Sequence, residues 1–265
     1  MVKPSDVEGE VDAQPSKSYT HRLLSIALLA DGESVISNPL RSLDTKSTLR
    51  SAEILGAKIE ETDNGWRVEG TGGNLEPGKS EIDVGNSGTT LRLMTAISTL
   101  STESVRLTGD ESILKRPMGP LVDSLKDLGA RARCEGSKGR PPVVVEGPLE
   151  GGETNITGTV SSQFISALLI SAPYSEVGAD IEVEDELRSK PYVKMTLKTL
   201  ELSDVELKSG SSLMEFHIPG EQTFSPFDHS VPGDFSSASF ILGAGALSEG
   251  WTTVNNLDPG DVQGD

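Results

Sequence analysis

The sequence predicts an α/β protein built from repeated units, each holding two helices and several strands. Three observations carry this. Apolar residues fall in short ordered blocks, LLSIALLA at 23–30 and FISALLISA at 164–172 among them. An order of helix, strand, helix and paired strands returns along the chain, with helix starts roughly 70–75 residues apart. Glycine or proline closes most elements, at Gly32, Gly56, Gly129, Pro173 and Gly178, as element stops do. The period exceeds the roughly 20–50 residues of a solenoid rung, so each unit is a small α/β layer.

The first unit opens with Ser16–Ala30, read as an amphipathic helix. A turn and strand in DGESVISN follow, then a helix from Asp44 to Leu55 and two strands in GAKIEET and GWRVEG. In the second unit Asn86–Leu100 is the helix and STESVRLTG the strand. Pro117–Leu128 is its second helix, and GARARCEG and PPVVVEG are the paired strands. The third unit repeats this with Ser161–Ser171, VGADIEVED, Lys190–Leu200, DVELKSG and MEFHIPG. A fourth opens at Asp234–Leu247, continues through SEGWTTVNN and reaches DPGDVQGD, where earlier units begin their second helix. This pattern leads to the expectation of an incomplete fourth unit, and hence of a fragment.

The chain has 265 residues, enough for one large domain or two. Acidic residues outnumber basic ones 41 to 23, for a net charge of -18, which argues against nonspecific binding to nucleic acid or anionic membranes. The carboxylates are spread along the whole chain, a surface suited to high salt, and a salt-loving source is expected. The apolar blocks are shorter than the ~18–20 residues of a membrane span. MVKPSDVEGEVDAQ shows no basic-then-apolar leader. A soluble, cytoplasmic protein is therefore expected. One cysteine, Cys134, leaves no internal disulfide or thiolate cluster, and His21, His217 and His229 lie too far apart in sequence to suggest an imidazole metal site. Neither a P-loop nor a GxSxG elbow occurs.

The candidate chemistry sits where each unit's first helix begins, at Pro15–Ser18 (PSKS), Gly85–Thr89 (GNSGT), Val160–Gln163 (VSSQ) and Gly233–Ser237 (GDFSS). Small hydroxyl and amide residues there cap free N–H groups, which alone would explain any one opening. Three features exceed capping. Lys17, Arg22 and Arg92 add cations beside helix N-termini, which already favour anions. Gly85 and Gly88 leave room for a ligand against the backbone. Pro117 and Pro191, at first helical positions, place Arg116 and Ser189 at the mouths of second helices. Several such mouths converging would hold more than one anionic group. Ser161 and Ser162 have no histidine patterned to activate them. His21 is expected to be solvent-facing or half-buried, Asp234 to be a cap, and Cys134 to be a small buried strand residue.

At these residues the chain resembles the enolpyruvyl transferases, specifically the branch that acts on shikimate 3-phosphate. The stretches PSKSYTHRLLSIALLADG, DVGNSGTTLRLM, LTGDESILKRPMGPLVDSLKDLGA, SSQFISALLISAP, RSKPYVKMT and VPGDFSSASFILGAGAL carry it in the family's order. The resemblance implies two lobes of three units each. Residues 16–230 would form one lobe, with 1–15 and 231–265 belonging to a second, truncated one. It implies transfer of the enolpyruvyl group of phosphoenolpyruvate to the 5-hydroxyl of shikimate 3-phosphate, releasing phosphate, in aromatic amino-acid biosynthesis. No metal or organic cofactor is implied, and the full-length protein is expected to be a monomer.

Carried over by residue, Lys17 would touch both substrates, and Ser18 and Arg22 would hold shikimate 3-phosphate. Gly88 and Arg116 would meet phosphoenolpyruvate, with Gly88 leaving room for its mimic glyphosate. Ser161, Ser162, Gln163 and Ser189 would complete the shikimate-phosphate contacts, Gln163 reaching phosphoenolpyruvate too, with Tyr192 nearby. The family's acid–base aspartate is expected beyond Asp265, so the isolated chain is expected to be inactive. The alternatives are the sister enzyme acting on UDP-N-acetylglucosamine, a noncatalytic anion-binding module, and an RNA 3'-phosphate cyclase, the last disfavoured by the acidic charge.

Overall fold

The computed structural model describes residues 6–264, so the first five residues and Asp265 lie outside it. Strand β1 (Gly9–Asp12) comes first. The first unit follows as α1 (Lys17–Leu29), β2 (Glu33–Ser37), α2 (Leu43–Ile54), β3 (Lys58–Glu61) and β4 (Gly65–Glu69). The second is β5 (Glu81–Asp83), α3 (Gly88–Ile97), β6 (Val105–Thr108), α4 (Gly119–Asp127), β7 (Arg131–Gly136) and β8 (Arg140–Glu146). The third is β9 (Gly152–Ile156), α5 (Ser162–Ser171), β10 (Ala179–Val183), α6 (Lys190–Glu201), β11 (Lys208–Ser209) and β12 (Glu215–Ile218). Then come β13 (Asp228–Ser230), α7 (Phe235–Ala246) and β14 (Thr252–Asn255).

The three units build three four-stranded sheets of one design, β13-β2-β4-β3, β5-β6-β8-β7 and β9-β10-β12-β11. In each sheet the first pair is parallel and the next two pairs are antiparallel. The leading edge strand of each sheet is absent from the sequence reading. Glu81–Asp83 and Asp228–Ser230 are three residues long and largely polar, which leaves no alternation to detect. DVELKSG shrinks to the two-residue strand Lys208–Ser209.

The first unit obtains its edge strand in another way. Strand β1 precedes α1 as β5 precedes α3, yet it pairs in parallel with β14, Gly9 opposite Thr252. The vacated edge beside β2 is filled by β13, which lies after the third unit. The chain thus closes three units into one body and then leaves it. Entry and exit run side by side. Pro15 bridges Gly233, Ser16 N–H donates to Pro232 O (2.8 Å), and Asp234 N–H donates to Gln14 O (2.8 Å).

The two helices of a unit differ in burial. In α1 every residue from Tyr19 to Leu29 is buried, and α3 and α5 are nearly as enclosed. In contrast, α2, α4 and α6 each bury one face. The amphipathic reading of Ser16–Ala30 is therefore corrected: this helix packs against α2, α3, α6 and β4, and even its polar Thr20, His21, Arg22 and Ser25 are enclosed. The sheets cover the helices and turn polar faces to solvent; in β10, Ala179, Ile181 and Val183 point in while Asp180 and Glu182 point out. Among the described residues no helix is long and apolar enough to cross a membrane.

Candidate functional site

The candidate site residues stand at the helix openings. Three of the four expected openings are capped: Ser87 Oγ accepts from Thr90 N, Ser161 Oγ from Gln163 N and Asp234 Oδ1 from Ser237 N; Ser42, before α2, adds a reciprocal box with Thr45 that the sequence reading lacks. The opening of α1 departs from this. Ser16 makes no side-chain cap, and its Oγ is buried without a partner. Next to it Lys17 projects half-exposed and meets Asp44, in the first turn of α2, at 3.3 Å. An exposed pair of this kind holds weakly, so an arriving anion can compete for the ammonium.

One turn on, Arg22 is buried, with 2% exposure. Its Nε donates to Thr196 Oγ1 (2.7 Å), Nη1 to Ser18 O (3.0 Å), and Nη2 to Ser166 Oγ (3.2 Å) and Tyr192 O (2.9 Å). None of these partners carries charge. Burial pushes the guanidinium down to about 10, so it remains a cation at neutral pH. Arg22 thereby fixes Ser18 on α1 against Tyr192 on α6. The neighbouring Ser189 begins α6 in the left-handed region (φ 59, ψ 44), a conformation rare for serine.

A second buried arginine marks the α3–α5 corner. Arg92 Nη1 donates to Gln163 Oε1, and Gln163 Nε2 donates to Thr89 Oγ1 (2.9 Å). The Arg92 guanidinium lies 5.4 Å from the Phe164 ring centroid, and its Nε is buried without a partner. Burial first, and the nearby Arg116 second, lower its pKa to about 10. A Cβ added at Gly88 would sit 3.4 Å from Arg92 Nη1, so Gly88 leaves the guanidinium uncovered on that side. Arg116 itself is exposed and ends the 3-10 turn Ile113–Lys115. The helix beyond starts only at Gly119, with Pro120 in its first turn, so Arg116 is not at the helix mouth that Pro117 suggested.

A hydrogen-bonded chain ties the openings together. His21 Nδ1 pairs with Thr48 Oγ1 (2.6 Å), Thr48 Oγ1 with Thr90 Oγ1 (2.7 Å), and Thr90 Oγ1 donates to the Ser87 cap (2.7 Å). This corrects the expected exposure of His21, which is 1% accessible. Burial, aided by Lys17 and Arg22, pushes it down to about 3, so the ring is neutral. Cys134 is half-buried rather than buried.

Lys17, Ser18, Arg22, Gly88, Gln163, Ser189 and Tyr192 therefore stand at linked helix openings. Ser162 begins α5 as a buried residue, and Ser161 is occupied as its cap. Arg92, Thr89, Ser166 and Thr196 also belong here. Arg92 had a signal, as a cation one turn into the helix; the hydroxyls had none, because their roles depend on contacts between helices. A cavity of only about 10 Å³ lies between Ser16, Ser18, Tyr192, Asp234 and Gln263. The largest concavity described, about 510 Å³, is on the outer face of the third sheet beside Asp180 and His217, away from these openings. No cluster of metal-ligating side chains occurs among the described residues.

The family model for EPSP synthase (3-phosphoshikimate 1-carboxyvinyltransferase) matches residues 1–265. The chain belongs to the EPSP synthase family. A 3-phosphoshikimate 1-carboxyvinyltransferase of Methanococcoides burtonii is 45% identical over 265 residues, covering 100% of this chain and 62% of that protein. One from Halobacterium salinarum is 44% identical over 249 residues, 93% of this chain and 57% of its own length. A solved EPSP synthase structure from Acinetobacter baumannii aligns with TM-score 0.83 at 26% identity, covering 96% of this chain and 57% of that one. The chain thus spans about three fifths of the EPSP synthases it matches. The α/β repeat architecture read from the sequence is that of these structures.

Proposed function

We propose that this chain carries the substrate-gripping helix openings of an enzyme that moves the enolpyruvyl group of phosphoenolpyruvate to the 5-hydroxyl of shikimate 3-phosphate. The observation that carries the reading is a pair of buried arginines, Arg22 and Arg92, with no carboxylate partner among the described residues, in a chain of net charge -18. An uncompensated buried cation is costly unless something anionic arrives. Lys17, Ser18, Arg22, Ser161, Ser162, Gln163 and Ser189 hold shikimate 3-phosphate in this reading. Lys17, Gly88, Arg116 and Gln163 meet phosphoenolpyruvate.

Both ligands are multiply anionic, and charge-assisted hydrogen bonds from fixed donors overcome their repulsion. The 5-hydroxyl oxygen bonds to C2 of phosphoenolpyruvate as its proton goes to a base, while an acid protonates the methylene carbon. The resulting tetrahedral adduct then loses phosphate together with a proton from that carbon, which restores the double bond. None of the residues named above is assigned the acid or base. Residues 16–230 form one lobe in this proposal. Residues 1–15 and 231–265 belong to a second lobe, to which the exposed apolar face of α7 also points. The whole protein acts as a cytoplasmic monomer without metal.

Titration calorimetry of the 265-residue chain with shikimate 3-phosphate tests the reading. Saturable but weak binding is expected, with no phosphate release on adding phosphoenolpyruvate. Because Lys17 is exposed, Lys17→Met should weaken binding about tenfold, roughly 1.4 kcal/mol, without moving the melting temperature. No binding heat from the unaltered chain would overturn the assignment.

A further inference from the structure

Beyond the openings themselves, one carboxylate from the end of the described chain reaches into the three-unit body. Asp261, its side chain 3% exposed, accepts Tyr19 Oη at both oxygens (2.8 Å to Oδ2, 3.1 Å to Oδ1). Its Oδ2 also accepts Lys198 Nζ (2.9 Å), and its Oδ1 accepts Gln263 N–H (3.0 Å). Both oxygens are doubly used, and the buried charge is matched by an ammonium. Such a group holds firmly, because removing either partner strands the other.

The partners sit where the site is built. Tyr19 directly follows Ser18 in the first turn of α1, and Lys198 lies on α6, the helix opened by Ser189. The same segment fastens the chain crossing. Gln263 Nε2 donates to Gly233 O (2.8 Å), and Gln263 Oε1 accepts Phe235 N–H (3.1 Å). Gly264 lies against the Pro191 ring, close enough that a Cβ there would come within 2.6 Å of it. With Ser16, Ser18 and Tyr192, Gln263 and Gly264 also border the small cavity between the α1 and α6 openings.

We infer that Tyr19, Lys198 and Asp261 form a latch of positioning residues, which sets the α1 opening relative to the α6 opening and fixes the paired crossing segments at Pro15 and Gly233. The latch touches no substrate. It acts through Ser18 and Ser189, and its effect on binding rests on the shikimate 3-phosphate reading given above. Clamping the crossing also limits how far the body of β1, β14 and α7 can swing against the three units.

Hydrogen exchange and calorimetry on the 265-residue chain test this together. Asp261→Asn keeps the shape and removes the charge, and Tyr19→Phe removes one donor with little change in packing. In both variants the amides of Ser16, Asp234 and Phe235 should exchange at least about tenfold faster, while α3 and α5 keep their protection. Affinity for shikimate 3-phosphate should fall about threefold or more, and Asp261→Glu, which restores the charge, should recover part of it. Unchanged exchange at those three amides would overturn the latch. Faster exchange with unchanged affinity would overturn its positioning role. If the unaltered chain binds no shikimate 3-phosphate, the substrate reading and the positioning role fall together, and exchange still decides whether the latch exists.

Discussion

Helices α5 and α7 are near twins in composition and opposites in placement. SQFISALLIS and FSSASFILGAGA contain no charged residue, and each starts from a capped opening. In α5 every residue but Gln163 is buried. In α7 only Ala238 is, and Phe240 is 82% exposed. The difference comes from neighbours: α5 is enclosed by α3, α4 and α6, whereas α7 packs chiefly on β14. Apolarity states what a helix would gain by burial, and the surrounding fold determines whether burial occurs.

The sharpest break of this comparison is Phe164→Ala in α5, which empties a fully buried ring beneath Arg92. It should cost about 3–5 kcal/mol in urea unfolding; a loss below 1 kcal/mol would mean that the corner is loosely packed. Next comes acid. His21 is held neutral, its pKa lowered from 6.5 to about 3, so between those values the unfolded chain binds the extra proton and stability falls as pH falls. By pH 5 this amounts to about 2 kcal/mol relative to neutral pH. Unfolding curves at pH 7 and pH 5 should show that loss in the unaltered chain and a smaller one in His21→Gln. The smallest effect belongs to α7. Phe240→Ser should leave stability within about 0.5 kcal/mol, while light scattering shows less self-association, as expected when an exposed apolar patch is interrupted.

Much of this was legible beforehand. The sequence places the seven helices of the described residues within two or three residues, because caps, glycine stops and apolar blocks are local signals. The site candidates at the openings were equally visible, since capping residues and cations are adjacent in sequence there. What escaped detection depends on partners far away along the chain. Arg92 and Gln163 are far apart in sequence and become one unit only when α3 and α5 pack. His21 reads as an ordinary polar position until Thr48 and Thr90 are brought against it. The edge strands β5 and β13, three residues each, are too short to show a period of their own and exist through the ladders they join.

The sequence by itself determined the repeat, the helix openings and the excess of negative charge into which a few cations are set. Tertiary structure alone decided that β13 rather than β1 completes the first sheet, that two arginines are buried without acidic partners among the described residues, and that Asp261 reaches Tyr19. The physical reason is range. Capping and periodicity act within one or two turns of chain, whereas burial and charge compensation depend on everything within a few ångströms in space, wherever it lies in sequence.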